Sequence, residues 1–109
     1  MRLQKKAPRQ ATFDEKLKMA LSKATSKHEA WQDGYSIWAS EWNVTDRSES
    51  PTKLGNRYVV SGNMTVQRRR LTDNVMRPPL NREFKIVFED SKDQYGLYTV
   101  RVTGFSLNL

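Results

Sequence analysis

The chain has 109 residues, which is enough for one domain with a modest core. Its eleven aromatic residues are too many large apolar side chains for a disordered chain. The absence of cysteine excludes disulfides, thiolate nucleophiles and cysteine metal sites. No apolar run approaches the roughly 18 residues of a membrane-spanning helix, and residues 1–10 lack the apolar centre of a signal peptide. We therefore expect a soluble domain, either complete or cut from a longer membrane-anchored protein.

The positive charge is unevenly distributed along the chain. The net charge is +7, and residues 1–30 contain eight Lys or Arg against three Asp or Glu. Residues 31–65 contain three against four, and residues 66–109 contain eight against five. An excess of positive charge of this kind gives information about binding partners rather than about the fold.

The N-terminal third predicts an arm followed by a helix. Residues 1–11 are basic and contain Pro8, which predicts a flexible basic arm before a single domain over residues 12–109. Thr12 and Glu15 match a capping box. Apolar residues at helical spacing follow, and they predict a helix from about Phe13 to Ala30, with lysines such as Lys16 mostly turned away from the core.

The middle of the chain predicts one clear strand between two loops. Tyr35–Val44 alternates only weakly, and both a bulged strand and a short helix fit it. Thr45–Asn56 is rich in turn residues and predicts a loop. Arg57–Gln67 alternates cleanly and predicts a strand, whereas Arg68–Asn81, with two consecutive prolines, predicts a second loop.

The last quarter predicts two long strands around one turn. In the first of them, Phe84, Ile86 and Phe88 alternate with Lys85 and Glu89. The polar stretch 90–94 predicts the turn, and Leu97–Val102 resumes a strand. Apolar residues then move from even to odd positions. This change predicts a β-bulge at Thr103-Gly104, where glycine removes the steric cost.

These elements together predict an α+β fold. An N-terminal amphipathic helix would pack on a strongly bent antiparallel sheet of three or four strands, because this arrangement buries every apolar stripe at once. Bulges bend sheets, and the predicted bulge near the C-terminus is therefore consistent with a curved sheet.

Two groups of basic residues are the candidate partner- or phosphate-binding sites. Arg68, Arg69 and Arg70 form an uninterrupted run, and guanidinium groups suit carboxylate and phosphate oxygens. The second group is the basic arm with its lysines and arginine, namely Lys5, Lys6 and Arg9. The alternative for the arginine run is a solvated loop that keeps a sheet edge from aggregating.

The other polar residues predict no catalytic, metal or cofactor site. His28 is the only histidine and lacks ligands at metal-binding spacing. The acids Glu89, Asp90 and Asp93 fit hairpin turn positions. The tryptophans fit either an exposed partner platform or the core under the helix; they are Trp31, Trp38 and Trp42.

One resemblance to a known family is carried by the last hairpin. Tyr95–Val100, followed by Gly104-Phe105-Ser106, resembles the closing strands of the nuclear transport factor two-like superfamily. Within it, the pattern is most similar to the periplasmic assembly factors of type IV secretion and conjugation machines. The resemblance implies a non-catalytic, self-associating domain at the periplasmic face of an inner membrane that bridges components of a channel. Without it, we expect a cytoplasmic protein.

Three functions remain open from the sequence. The first is a non-catalytic binding and assembly module with protein partners, which the resemblance identifies as a structural component of a secretion or conjugation channel. The second is nucleic-acid binding through the basic arm, the helix and Arg68–Arg70, which would need a continuous basic stripe with exposed aromatic residues. The third is an enzyme or small-ligand carrier that uses a pocket inside the curved sheet.

Overall fold

The computed structural model describes residues 12–26 and 34–108, which form one helix and four strands. Helix α1 spans Phe13–Ser26, and the strands are β1 Tyr35–Pro51, β2 Asn56–Arg70, β3 Met76–Lys92 and β4 Tyr98–Leu107. The strands pair antiparallel in chain order, β1-β2-β3-β4. The predicted α+β fold, with a helix on a curved antiparallel sheet, is confirmed. No helix in the described ranges is long and apolar enough to cross a membrane.

Helix α1 begins with the predicted capping box. The Glu15 amide donates a hydrogen bond to Thr12 Oγ1 at 3.2 Å, and the Thr12 amide donates to Glu15 Oε1 at 3.2 Å. The two residues thereby satisfy each other's backbone donors at the helix start. The predicted continuation of the helix to Ala30 lies outside the described residues, as does the predicted arm over residues 1–11.

Strand β1 is longer than its sequence predicts. The loop predicted at Thr45–Asn56 is wrong, because β1 continues to Pro51 and only residues 52–55 connect it to β2. Register shifts at Ala39/Glu41 and Val44/Asp46 change the side-chain alternation twice along the strand. The first of these bulges places Ile37 and Trp42 on the same face although their sequence parity differs. Exposed polar residues occupy the second half of this edge strand, and apolar alternation therefore cannot reveal it.

The loop predicted at Arg68–Asn81 is also wrong. Arg68–Arg70 forms the end of β2, and β3 begins at Met76. Only residues 71–75 connect the two strands. The β2–β3 register shifts between Val66 and Arg68, opposite the two consecutive prolines of β3. A disrupted ladder tolerates proline because no amide donor is needed there.

The last two strands contain the predicted bulge and a shorter turn than predicted. Val87 pairs with Gly104, whereas Phe88 pairs with Val102, so Thr103 is the additional residue. This confirms the bulge. Asp90, predicted in the turn, belongs to β3, which continues to Lys92.

The core lies between α1 and one face of the sheet, which we call the helix-covered face. Its fully buried large side chains come from the helix and from β2, β3 and β4; they are Leu17, Leu21, Val60, Met64, Val66, Ile86, Phe88 and Val100. Gly62 allows β1 and β2 to approach closely at this point, because a Cβ atom there would overlap the Asn43 carbonyl oxygen. The curved sheet is therefore filled by packed side chains under the helix.

Candidate functional site

Four arginines gather at the end of the sheet formed by the β2–β3 hairpin. Arg68, Arg69 and Arg70 end β2, and Arg77 lies near the start of β3. Arg68 and Arg77 are direct partners across the two strands. We call these four residues the arginine cluster. The sequence predicted the first three as a site, and the fold adds the fourth.

Strand register places the cluster on both faces of the sheet. Directly opposite residues of antiparallel strands share a face. Arg68 is opposite the buried Ile37, and therefore Arg68 and its partner Arg77 lie on the helix-covered face. Arg70 is opposite Tyr35 on that face, while Arg69, one residue away, lies on the outer face.

Two aromatic side chains of β1 lie against these arginines. Arg77 Nη2 donates to the Tyr35 hydroxyl at 3.4 Å. The guanidinium carbons of Arg68 and Arg77 are 5.9 and 6.0 Å from the centre of the Tyr35 ring. On the outer face, the Arg69 guanidinium carbon is 5.8 Å from the Trp38 ring. These distances are at the outer limit of cation–π contact.

The described residues neutralise the positive charge of the cluster only in part. Arg70 pairs with Asp73 at 3.1 Å, and in the described part of the chain this is the only carboxylate in an ion pair with the cluster. Arg68 and Arg77 are directly opposite each other, and like charges in this arrangement generally destabilise a sheet. Arg68 Nε is buried and has no hydrogen-bond partner among the described residues. The cluster therefore has donors and charge in excess of what the described fold uses.

The phenol of Tyr35 responds to this excess charge. Hydrogen bonds from Arg77, then from Arg70, lower the pKa of Tyr35 below its ordinary value. The positive charges of both arginines favour the anionic form of the phenol oxygen. The field at this point of the surface consequently favours negative charge.

Apolar side chains border the cluster at the tip of the hairpin. Leu71, Val75 and Met76 keep 45%, 49% and 48% of their surface exposed. Arginine and methionine are enriched at protein interfaces, where an apolar centre is combined with guanidinium groups. This end of the sheet therefore combines exposed apolar surface with cationic groups.

The opposite end of the helix-covered face contains a buried ion pair. Lys16 Nζ lies 2.6 Å from Asp90 Oδ2, and their side chains are only 10% and 1% exposed. The Tyr58 hydroxyl donates to the same oxygen at 3.3 Å, and the Asn56 amide donates to Oδ1 at 2.6 Å. The predictions that Lys16 faces away from the core and that Asp90 is a turn residue are wrong. Each charge is buried because the other compensates it.

Both partners of this pair are held in their charged forms. Burial by itself raises the pKa of the Asp90 carboxyl, but the hydrogen bonds from Lys16 and the Asn56 amide outweigh it and lower the pKa. Burial by itself lowers the pKa of Lys16, but the hydrogen bonds to Asp90 and Tyr58 outweigh it and raise the pKa. The pair therefore fastens α1 to the sheet.

The remaining candidate residues are not brought into one site. Glu89 pairs with Arg101 at 3.4 Å, while Asp93 accepts hydrogen bonds from turn amides. Trp42 is half-buried against the core, and Trp38 lies on the outer face. His28, Trp31 and the arm residues fall outside the described residues; the arm residues are Lys5, Lys6 and Arg9. Within residues 12–26 and 34–108, no three histidine or acidic side chains could hold a metal ion.

An open groove of about 690 Å³ lies between the second half of α1 and β4. Lys23 borders it, and its ammonium donates to the Val100 carbonyl oxygen at 2.6 Å. Phe105 and Leu107 supply part of its apolar surface. The third function, a ligand pocket or enzyme, stays an untested prediction.

The chain matches no protein-family model, no curated protein and no solved structure.

Proposed function

We propose that this chain is a non-catalytic binding and assembly module that docks on an anionic surface of a partner protein through the arginine cluster. The observation that carries the proposal is the crowding of four guanidinium groups at one sheet end, with Asp73 as their one described counter-charge. The exposed apolar tip beside them favours a protein partner, since an interface of this kind buries apolar and cationic groups together.

The resemblance of the last hairpin supports a more specific form of this proposal. In that form, the module is a self-associating structural component of a type IV secretion or conjugation channel, at the periplasmic face of an inner membrane. The helix on a curved antiparallel sheet is compatible with the domain that the resemblance implies. Genes for a conjugation channel next to the gene for this chain would support it, and concentration-dependent association in analytical ultracentrifugation would support self-association.

Binding to an acidic polypeptide tests the proposed surface. Fluorescently labelled poly-L-glutamate should bind the wild-type chain, and the change in anisotropy should give its affinity. Replacing Arg68, Arg69 and Arg70 with Gln should weaken binding about tenfold, the sum of three exposed ion pairs at roughly 0.5 kcal/mol each.

A matched control removes the same charge elsewhere. Lys18, Lys53 and Lys85 are exposed lysines outside the arginine cluster. Replacing these three with Gln lowers the net charge equally but should change the affinity less than twofold. Equal weakening by both triple variants would show that poly-L-glutamate senses only net charge, and the proposal would then be wrong.

Nucleic-acid binding is the second candidate, and the aromatic contacts of the cluster favour it. Tyr35 and Trp38 are interleaved with arginines, which is the combination used to stack bases and contact phosphates. A labelled oligothymidylate should then bind with an affinity that falls steeply with salt, with a log–log slope of about −2 to −3 for three or four phosphate contacts. Trp38→Ala should weaken this binding and leave poly-L-glutamate binding unchanged. No gel shift at low salt would exclude the nucleic-acid function.

A further inference from the structure

Three arginines lie around Tyr35 on the helix-covered face. Arg77 Nη2 donates to the Tyr35 hydroxyl at 3.4 Å, and Arg70 faces Tyr35 across β1 and β2. Arg68 completes the group, with its guanidinium carbon 5.9 Å from the Tyr35 ring. Side chains from β1, β2 and β3 are thus brought together around Tyr35.

The arginines around Tyr35 carry more positive charge than the described carboxylates neutralise. Three arginines bring three positive charges, and Asp73 compensates one of them through Arg70. Among residues 12–26 and 34–108, the other two positive charges have no counter-charge, and Arg68 Nε is a buried donor without a partner. The Tyr35 hydroxyl accepts from Arg77 and still has its own proton to donate. The set is therefore complementary to a compact dianion.

We infer that Tyr35 and the three arginines around it bind a terminal phosphate group, either inorganic phosphate or a phosphate monoester. We call this set the Tyr35 site. Guanidinium groups match the oxygens of phosphate bidentately. A monoester carries a charge of about −1.5 to −2 at pH 7 and so balances the remaining charge, whereas a carboxylate or a phosphodiester carries only one negative charge. The inference rests on the proposed function, because a monoester on a partner would enter through the same cluster.

Inorganic phosphate is the first probe. Isothermal titration at constant ionic strength, with chloride as the reference anion, should show saturable binding to the wild-type chain. Arg68→Gln and Arg77→Gln should each weaken it about tenfold or more, since a hydrogen bond between charged groups is lost. Arg101→Gln, on the outer face and paired with Glu89, should bind phosphate as the wild type does.

Two milder variants keep the test decisive where a glutamine variant does not fold. Arg77→Lys retains the charge but removes the planar fork, and Tyr35→Phe removes only the hydroxyl. Both should weaken phosphate binding several-fold while their far-ultraviolet circular dichroism stays that of the wild type. Folded variants of both kinds with wild-type phosphate affinity would overturn the Tyr35 site.

A peptide pair identifies the source of the phosphate. A phosphoserine peptide that binds more tightly than inorganic phosphate, while its serine form does not bind, would place the monoester on a partner. Equal binding of the peptide and of inorganic phosphate would point to the small molecule; both outcomes support the site. An oligothymidylate without a terminal phosphate that binds at the Tyr35 site more tightly than inorganic phosphate would overturn it.

The outcomes separate this inference from the proposed function. One outcome is that the triple arginine variant loses poly-L-glutamate binding and the wild type shows no detectable phosphate binding. This would support the proposed binding module and overturn the Tyr35 site. The other outcome is that phosphate binding requires Arg68 and Arg77 and the wild type does not bind poly-L-glutamate. This would support the Tyr35 site and overturn the recognition of an acidic protein.

Discussion

At one end of the helix-covered face, the Lys16 ammonium and the Asp90 carboxylate lie 2.6 Å apart and are almost entirely buried. At the other end, Arg68 and Arg77 face each other across two strands, with no described carboxylate paired to either. The first arrangement compensates each charge inside the fold. The second crowds like charges and leaves the buried Arg68 Nε without a partner in the described part of the chain. The contrast separates a stabilising cluster from one that is suited to a ligand.

Asp90→Ala should produce the largest change at the ion-pair end. It leaves Lys16 buried without its partner and removes the acceptor of the Asn56 amide, and a loss of about 3 kcal/mol in the free energy of unfolding is expected. Urea denaturation measures it. Glu89→Gln, one residue earlier and partly exposed, is the control and should cost less than about 0.5 kcal/mol. Equal losses of unfolding free energy in the two variants would contradict the stabilising role assigned to the ion-pair end of the sheet.

Acid should reproduce part of the same loss by protonating Asp90. Its pKa is lowered in the folded state, so the unfolded chain binds the proton more readily as pH falls. The contribution of the carboxylate to stability is fully present above the ordinary pKa of about 4 and is lost as pH falls through the lower folded value. Stability measured between pH 2 and 5 should therefore fall less steeply in Asp90→Asn than in the wild type. Parallel curves would contradict this expectation.

Because of Lys16, the stability of the fold should fall as the pH rises above about 10. Its pKa is raised in the folded state, so its contribution to stability is fully present below the ordinary value of 10.5 and is lost as pH rises through the folded value. Lys16→Met should flatten the stability curve above pH 10, measured by urea denaturation. An unchanged slope would show that Lys16 is not held in its charged form.

Gly55→Ala should disturb the ion-pair end through packing alone. A Cβ atom at Gly55 would overlap the backbone and the carboxylate of Asp90, and overpacking of this kind costs about 1–3 kcal/mol. Gly104→Ala is the matched control, because its Cβ would meet Val87 at an ordinary contact distance of 3.7 Å. Thermal unfolding should separate the two. Similar melting temperatures would show that the Asp90 environment is looser than described.

Arg77→Gln should have the smallest effect, and in the opposite direction. Removing one of two directly opposed arginines should raise the free energy of unfolding by about 0.5 kcal/mol in phosphate-free buffer. Arg101→Gln, which loses its exposed pair with Glu89, should lower it slightly. Urea denaturation of both variants provides the comparison. A destabilised Arg77→Gln would make the arginine cluster structural and would remove the difference between the two ends.

Local sequence patterns predicted the parts of the fold that depend on near neighbours. The Thr12–Glu15 capping box, the alternation of β2 and the bulge beside Gly104 each depend on a few consecutive residues, and all three are present. The second half of β1 could not be predicted in this way. It is an exposed edge strand, held by pairing with β2 rather than by an apolar face.

The two charge clusters were less predictable because they combine distant residues. The run Arg68–Arg70 was visible, but Arg77 and Tyr35 join it only through strand register. Pairing β2 with β3 around the turn at residues 71–75 would have been a signal for Arg77. Asp90 meets Lys16 across 74 positions of the sequence, and no local pattern distinguishes it from a turn residue.

A phosphate titration followed by amide NMR tests the central claim most directly. On addition of inorganic phosphate at constant ionic strength, we expect saturable shifts concentrated at residues 34–37, 68–71 and 75–77. The residues around the buried ion pair should stay unchanged, since their charges are already compensated. No saturable shifts, or shifts spread evenly over the exposed lysines, would contradict a ligand-binding role for the arginine cluster.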